Sequence, residues 1–340
     1  MRTSAKAVAV LGTIAAAAAA LLVVTSGAAS ASDNGPPLRI SSEQVRDSMS
    51  CQGDLAGGSA DPVLLIPGTT LNPKVNFDWN YEPAFRARHQ AYCTVELPNN
   101  AMGDIQLAAE YVVGALRAMH SDADRRVRIV GFSQGGMIGR WALKFWPDTR
   151  DIVEAVIGLD PSNHGTVSAV PVCAVACAPA FWQQRFGSKF LAALNAGTET
   201  YPDISYTQIY TYTDEVVTPN IPPAAQSELH TGPGAISNVA VQQVCPVHVA
   251  EHLTMGSIDA VGYALVVDAL THDGLASADR IDRSVCLRPV MPGVDPVTLP
   301  ANEARYNGHI ATVLATSPVV LSEPPLQPYA RRQATESDRD

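Results

Sequence analysis

Short apolar runs alternate with stretches of helical periodicity along the middle of the chain. Val63-Leu64-Leu65-Ile66 is a fully apolar run that ends at Pro67-Gly68, which predicts a buried strand followed by a loop. The run from Tyr92 to Leu97 predicts a second strand. A helix is then predicted from apolar residues at helical spacing, namely Ile105, Ala108, Ala109, Val112, Val113, Leu116 and Met119.

The same alternation continues toward the C-terminus. Further strands are predicted over residues 126–132, 153–159, 206–212 and 239–244. Helices are predicted over residues 134–145 and 252–270. Strands that alternate with helices in this way indicate an α/β fold with a mostly parallel central sheet and helices on both faces.

Residues 162–202 interrupt the alternation. They are alanine-rich, with a helical pattern broken by Pro171 and Pro179, and predict a small helical, lid-like insertion packed over the sheet. Residues 32–332 are therefore predicted to form a single domain that contains this insertion. The charged residues 333–340 predict a disordered tail.

The first residues have the pattern of a secretory signal peptide. Arg2 and Lys6 precede an apolar stretch from Ala7 to Val24, and Ala29-Ser30-Ala31 offers a cleavage site, so residues 1–31 are predicted to be removed. The alternative is an uncleaved anchor, because about 18 apolar residues just span a bilayer. The alanine richness and the small residues favour cleavage. The mature chain is then expected to be secreted, with no transmembrane segment.

Composition narrows the class of protein. A chain of 340 residues with 46% hydrophobic and 16% charged residues can bury a large core. The net charge of −10, without a cluster of Lys and Arg, argues against a nucleic-acid partner. Six cysteines in an exported chain indicate disulfides, and Cys173 and Cys177 are near enough to pair locally. The cysteine spacing does not favour a metal site, and no cofactor is expected.

The segment Gly131-Phe132-Ser133-Gln134-Gly135 lies between a predicted strand and a predicted helix. A serine at such a sharp turn needs small neighbours, and the turn exposes its hydroxyl. The helix that follows offers unpaired N–H groups and a positive dipole end, where an oxyanion is stabilised. Ser133 is therefore the candidate nucleophile. The alternative is a glycine-rich turn with an idle serine.

A nucleophilic serine needs a histidine base and an acid that orients the base. In a hydrolase with this turn, the acid follows the serine and the histidine comes last. Asp160 and Asp214 both follow predicted strands; Asp214 is favoured because it follows the later one, whereas Asp160 resembles the start of an Asp-Pro turn. His252 lies at the start of the closing helix and is the predicted base, with His248 interpreted as a polar loop residue.

Two further interpretations concern the same segments. His248-Val249-Ala250-Glu251-His252 matches H-x-x-E-H, a zinc-protease pattern that needs both histidines on one helical turn. The segment after Pro246 looks extended and no third ligand is evident, so zinc is the weaker hypothesis. The predicted oxyanion donors are the N–H of Gln134 and the N–H and hydroxyl of Thr69. The alternative is that Thr69 only stabilises a turn.

With these residues in place, the chain resembles the Candida antarctica lipase B-like family of secreted α/β-hydrolase lipases. The resemblance covers Cys51 to about Arg331. The matching stretches are Leu65-Ile66-Pro67-Gly68-Thr69, Phe132-Ser133-Gln134-Gly135-Gly136, Trp182-Gln183-Gln184, Thr213-Asp214-Glu215-Val216-Val217, Glu251-His252, Ser277-Ala278-Asp279 and Pro328-Tyr329-Ala330-Arg331.

The resemblance implies an α/β-hydrolase fold and a triad of Ser133, Asp214 and His252, with oxyanion donors at Thr69 and Gln134. It also implies a substrate pocket at Phe132 and Val216. Its disulfides correspond to Cys51 with Cys93 and Cys245 with Cys286, which leaves Cys173 with Cys177.

The chain departs from the family pattern at three places. Phe132 replaces a tryptophan that bounds the alcohol side of the family's pocket, which implies more room there. Cys173 and Cys177 lie in the lid-like segment, where a disulfide would restrict movement. Ser162 stands where the family has an acidic residue, so the family's acidic hydrogen-bonding group on the acyl side is replaced by a hydroxyl.

The sequence thus predicts a secreted, monomeric carboxylic ester hydrolase, a lipase or esterase that acts on acylglycerols or other esters through an acyl-enzyme. One alternative is an acyltransferase or polyester hydrolase with the same triad. A remote alternative is a non-catalytic surface-binding protein that has kept the fold.

Overall fold

The apolar runs of the sequence form the strands of one sheet. In a computed structural model that describes residues 34–58 and 60–331 together with Met1, the strands are β1 (Met49–Gln52), β2 (Val63–Ile66), β3 (Tyr92–Val95), β4 (Val127–Phe132), β5 (Val153–Leu159), β6 (Ser205–Tyr210) and β7 (Ala235–Ala240). They pair in the order β1-β3-β2-β4-β5-β6-β7. Strands β2 to β7 run parallel, and β1 pairs antiparallel with β3 at one edge.

Helices connect the strands and cover the sheet. Among the described residues they are α1 (Ser42–Asp47), α2 (Pro73–Asn76), α3 (Tyr81–Ala87), α4 (Ile105–Ala123), α5 (Gln134–Phe145), α6 (Thr149–Ile152), α7 (Ala169–Val172), α8 (Pro179–Gln184), α9 (Lys189–Asn195), α10 (Val241–Val244), α11 (His252–Met255), α12 (Ala260–Thr271) and α13 (Leu299–Thr316). Two 3₁₀ turns follow α12, at Ala278–Arg280 and Arg283–Leu287. The helices α7 to α9 make up the insertion predicted over residues 162–202.

The sheet is buried on both faces because successive side chains of a strand point to opposite sides. In β2, Leu64 and Ile66 belong to the apolar cluster that includes α4 and α5, whereas Val63 and Leu65 belong to the cluster that includes α3 and α12. All four residues are fully buried. Wholly apolar runs are typical of parallel strands with helices on both faces, and the fold is that of an α/β-hydrolase.

The register brings the carboxyl ends of the central strands into line. Ile66 of β2 lies opposite Gly131 of β4, Phe132 of β4 opposite Leu159 of β5, and Leu159 opposite Ile209 of β6. The loops that leave these strands therefore begin side by side, at the carboxyl ends of the strands.

The strand predicted over residues 239–244 is wrong in its position. The strand β7 ends at Ala240, whose N–H donates to the Gln243 side chain at 2.9 Å, and residues 241–244 form the helical turn α10. The strand itself carries Ser237 and Asn238 and lies at the sheet edge, where polar residues are tolerated. Its hydrophobic pattern is therefore weak.

The helix predicted over residues 252–270 is divided in two. The helix α11 ends at Met255, and α12 begins only at Ala260, because the Asp259 carboxylate accepts the N–H of Gly262 at 2.6 Å and caps a new helix. The strand β1 and the helix α13 have no counterpart in the predicted elements.

The helix α13 is held against the rest of the molecule by a few contacts. Arg305 forms an ion pair with Asp78 at 2.5 Å, and the ring of Tyr306 packs edge-on against Trp79 at 6.1 Å between centroids. Tyr306 and Val313 are its buried residues. Most of this helix therefore faces solvent.

Three disulfides join the six cysteines: Cys51 with Cys93, Cys173 with Cys177, and Cys245 with Cys286. This is the pairing that the family resemblance implies. The first links paired positions of β1 and β3. The second closes a short loop after α7, where Cys177 also exchanges backbone hydrogen bonds with Val320.

The described residues from 34 to 331 lie in one compact unit. The predicted signal peptide lies outside the described residues apart from Met1, and the predicted tail lies wholly outside them. Within the part of the chain that is described, every helix is too short or too polar to cross a bilayer.

Candidate active site

Ser133 sits at a strained turn between β4 and α5. Its φ of 54° and ψ of −122° are a backbone conformation that residues other than glycine rarely adopt. The turn is tight: a Cβ atom on Gly131 would lie 2.1 Å from the Gly135 carbonyl oxygen, and one on Gly135 would lie 2.2 Å from the Ile66 carbonyl oxygen. The two glycines are therefore required by close backbone approach.

The turn places Ser133 at the N-terminal end of α5, which is the positive end of the helix dipole. Ser133 precedes the first residue of α5, and its side chain makes no capping hydrogen bond. Its own N–H donates to the Leu159 carbonyl at 2.8 Å, which ties the turn to the neighbouring strand. The N–H groups of the first turn of α5 are thus directed at the region where an oxyanion would form.

His252 and Asp214 form a buried pair at the same edge of the sheet. The Nδ1 atom of His252 lies 3.0 Å from Oδ2 of Asp214, and both side chains are almost fully buried. The other carboxylate oxygen, Oδ1, accepts the N–H groups of Val216 and Val217, each at 2.8 Å. Because a carboxylate accepts, Nδ1 of His252 carries the proton and Nε2 is free to accept one.

Asp160, the less favoured acid in the sequence, also lies beside His252. Its Oδ2 atom is 3.9 Å from His252 Nδ1, and the residue is fully buried. Its Oδ1 atom accepts the N–H of Thr211 at 2.9 Å. Burial raises the pKa of the Asp160 carboxyl well above its ordinary value, and the negative charge of Asp214 raises it further.

The hydroxyl of Thr69 is held by two side-chain amides. Its Oγ1 atom accepts from Nε2 of Gln134 at 3.1 Å and from Nε2 of Gln184 at 2.9 Å. A hydroxyl has two acceptor positions and one proton, so both acceptor positions are occupied. The O–H of Thr69 therefore points away from these amides as a donor.

Ser162 fixes the orientation of one of these amides. Its Oγ donates to Oε1 of Gln184 at 2.8 Å, so the NH₂ end of that amide faces Thr69. The residue that replaces the family's acidic side chain thus takes part in a hydrogen-bonded chain from Ser162 through Gln184 to Thr69. All three residues line the cavity described next.

A cavity of about 230 Å³ opens beside Ser133, His252 and Thr69. Phe132 and Val216, the two residues that the resemblance places in the pocket, both line it. The ring of Phe132 packs on the imidazole of His252 with centroids 4.8 Å apart. The remaining lining is mainly apolar and includes Ala169, Phe181, Ile310 and Leu314, which we call the apolar wall.

The apolar wall was not predicted from the sequence. Ile310 and Leu314 are one helical turn apart on α13, and this spacing could have predicted that they share a face of a helix. The residues around them are too polar to give the hydrophobic periodicity by which a helix is predicted. Ala169 and Phe181 come from the insertion. Gln184 lies in one of the stretches that match the family, but its contact with Thr69 depends on how the insertion folds.

The two histidines of the H-x-x-E-H pattern face different carboxylates. Nε2 of His248 pairs with Asp259 at 2.5 Å, a hydrogen bond that raises the pKa of His248, whereas His252 pairs with Asp214. The helix begins only at His252, so the pattern does not lie on one helical turn. Asp160, Asp214 and His252 have donor atoms within 4.8 Å of one another, but His252 Nδ1 is engaged by Asp214.

Charged side chains join the insertion to α5. Glu199 lies 3.0 Å from Nε2 of His164 and 3.9 Å from the guanidinium of Arg140, and we call these three residues the Glu199 cluster. Burial alone would raise the pKa of Glu199, but the hydrogen bond with His164 and the charge of Arg140 lower it to about 2.

A larger cleft of about 600 Å³ lies at the opposite ends of the strands from Ser133. Arg126 and Asp203, which line it, come directly before β4 and near the start of β6, so the cleft is at the amino ends of the strands. It contains neither Ser133 nor His252. The apolar cavity at the carboxyl ends is therefore the candidate active site.

Comparisons with known proteins find similar sequences and a similar fold. Residues 115–252 match the family described as Lipase (class 2). The chain is 31% identical over 317 residues to lipase B of Pseudozyma antarctica, which covers 88% of each chain. The crystal structure of Aspergillus fumigatus lipase B superposes with a TM-score of 0.79 at 28% identity and covers 87% of this chain and 73% of its own.

Proposed function

Since the chain belongs to the lipase B family, and is thereby a lipase-like carboxylic ester hydrolase, we propose that Ser133, His252 and Asp214 cleave the ester bond. The observation that carries this proposal is the shared cavity: the strained Ser133 and the His252–Asp214 pair open onto one apolar space.

In the proposed reaction, Nε2 of His252 takes the proton of the Ser133 hydroxyl as the oxygen attacks the acyl carbonyl. Asp214 keeps the proton on Nδ1 and stabilises the imidazolium that forms. The imidazolium then returns a proton to the leaving alcohol. Water, activated by the same imidazole, releases the acid from the acyl-enzyme and restores Ser133.

The negative oxygen of the tetrahedral intermediate is proposed to bind the N–H of Gln134 and the hydroxyl of Thr69. The Thr69 hydroxyl is already oriented by two amides, so it needs no reorganisation when charge develops. Aligned donors of this kind act in a site that excludes water, where each hydrogen bond is stronger.

The proposed substrates are acylglycerols or other esters with apolar acyl chains. The apolar wall and Phe132 offer burial to hydrocarbon, which gains about 25 cal/mol for each Å² removed from water. We also propose that the chain is secreted, because all six cysteines form disulfides, and that it acts as a monomer, which light scattering on the purified protein tests.

The proposed nucleophile is tested with an active-site phosphonate that carries an alkyl chain. Wild-type protein is expected to gain one phosphonyl group on Ser133, found by peptide mass spectrometry, and to lose hydrolysis of p-nitrophenyl butyrate. Ser133→Ala should neither label nor hydrolyse while keeping the wild-type unfolding temperature. Folded wild type that does not label, or an S133A protein that hydrolyses normally, would refute the proposal.

A further inference from the structure

Asp160 is a second buried carboxyl in contact range of the imidazole that the proposed reaction uses. It follows β5 directly, and Asp214 follows β6, so the two loops bring both carboxyls to His252 from adjacent strands. Asp160 adopts a positive φ of 40°, and its N–H donates to the Ile209 carbonyl at 2.8 Å. Backbone bonds to β6 therefore fix where this carboxyl lies.

The two carboxyls differ in how many hydrogen bonds they accept. Asp214 accepts from two backbone N–H groups, from His252, and from Nδ2 of Asn220 at 3.3 Å. Asp160 accepts at Oδ1 only, from Thr211 and at 3.4 Å from the same Asn220 amide. Its Oδ2 is buried and accepts no hydrogen bond from any residue that the structure describes.

This difference decides which carboxyl holds a proton. Two adjacent carboxyls in a buried site do not both ionise, because like charges repel and burial penalises each charge. The groups that face Asp160 are Asp214 and Glu215 on the loop after β6, Asp259 before α12, and His252. Three of these four are acids. Asp214 accepts four hydrogen bonds and Oδ2 of Asp160 accepts none, so the negative charge is placed on Asp214 and the proton on Oδ2 of Asp160.

We propose that Asp160 is a positioning residue for His252: it stays protonated while Asp214 is ionised, and it becomes the negative partner of the imidazole when the charge of Asp214 is removed. Its Oδ2 lies 3.9 Å from Nδ1, so a shift of the ring by about 1 Å brings the two atoms into hydrogen-bond range. This inference rests on the proposed role of His252 as the base.

The test compares Asp214→Asn with the double variant Asp160→Asn/Asp214→Asn in hydrolysis of p-nitrophenyl butyrate. Loss of the acid in a serine hydrolase lowers kcat by about 10⁴-fold. The double variant is expected to lose that much, whereas D214N alone should lose only about 10² because Asp160 ionises and takes its place. D160N alone should lose less than about tenfold, because the amide resembles the protonated acid.

The pH profile separates this role from a purely structural one. The acid limb of kcat/KM reports the pKa of the base in the free enzyme, and a neighbouring carboxylate raises the pKa of a histidine. The acid limb of D214N should therefore stay near that of wild type, and that of the double variant should move to lower pH. A change in packing alone would not move it.

Glu215→Gln in the D214N background is the matched control. Glu215 is a neighbouring carboxylate that accepts the backbone N–H of His252 at 3.2 Å, whereas the ion pairs of the ring nitrogen are with Asp214 and Asp160. Its amide variant should change the activity of D214N by less than about threefold. A loss as large as that caused by D160N would mean that general negative potential, not Asp160, sustains D214N, and would refute the proposal.

Asp214→Ala, with and without D160N, repeats the comparison if D214N does not fold, as judged by its thermal unfolding. Single and double variants with equal activity and the same acid limb would overturn the inference while wild-type labelling at Ser133 leaves the proposed function standing. Failure of wild type to label would instead remove the proposed function.

Discussion

Replacing Thr69 with valine removes the hydroxyl that is proposed to donate to the oxyanion. Valine keeps the branched shape, so the loop after β2 should retain its position. Loss of one oxyanion donor raises the barrier by about 3 kcal/mol, or about 10² in kcat. Because both acceptor positions of Thr69 are filled in the resting protein, the donor is preoriented, and we expect the full loss of about 10²-fold.

The same substitution should affect stability much less. Gln134 and Gln184 each lose the Thr69 oxygen as an acceptor, but Nε2 of Gln134 also donates to the Ala101 carbonyl at 2.9 Å, and Nε2 of Gln184 donates to the Ala180 carbonyl at 3.2 Å. Neither amide is left without an acceptor, so the free energy of unfolding should fall by about 1 kcal/mol. Urea unfolding measures this change.

The assay is kcat for p-nitrophenyl butyrate, corrected for active protein by phosphonate titration. Thr69→Ser keeps the hydroxyl and should retain kcat within about tenfold of wild type. Gln184→Met removes one of the two amides, which frees the hydroxyl to rotate, and should lower kcat about fivefold in wild type but not in T69V. A T69V protein whose kcat lies within threefold of wild type would show that Thr69 does not bind the oxyanion.

Three further predictions concern the turn, the Glu199 cluster and the pocket. Gly135→Ala places a Cβ atom 2.2 Å from a carbonyl oxygen and should lower the free energy of unfolding by about 3 kcal/mol or more, whereas Gly308→Ala in α13 meets nothing within 4 Å and should raise it by up to about 1 kcal/mol in urea unfolding. The folded-state pKa of Glu199 is lowered from 4.5 to about 2, so its contribution to stability is fully present above pH 4.5 and is lost as pH falls toward 2. Glu199→Gln should therefore reduce the change in the free energy of unfolding between pH 4.5 and pH 2, measured by urea unfolding. The same pH dependence in the variant and in wild type would contradict this. Phe132→Trp should lower kcat/KM for esters of bulky secondary alcohols more than for ethyl esters, and an equal effect on both would exclude Phe132 as a boundary of the alcohol pocket.

Local pattern predicts the elements that carry the nucleophile. The strands β2 and β5 and the helix α5 have the bounds that their apolar runs indicate, because glycine, proline or a change in periodicity ends each run. The elements that were missed or misplaced lack such a signal. The helix α13 buries few of its residues, and β7 is an edge strand with polar positions.

Contacts across the sheet are harder to derive from sequence. Asp160 follows an apolar strand and precedes a proline, which is equally typical of a turn and of a site residue. Its distance from His252 depends on the register of β5 with β6 and on where the chain returns after β7. The contact of Gln184 with Thr69 likewise depends on three-dimensional packing of the insertion.

The helix α13 lies far along the chain from the groups proposed to break the ester bond. It adds Ile310 and Leu314 to the cavity, and the Arg305–Asp78 ion pair and the Tyr306–Trp79 contact hold it in place. Part of the substrate pocket is therefore encoded in a stretch of the gene that is separate from the residues proposed to do the chemistry. Descendants of this protein can diversify in the esters that they accept through changes in residues 299–316, while inheritance of the sheet edge preserves the reaction.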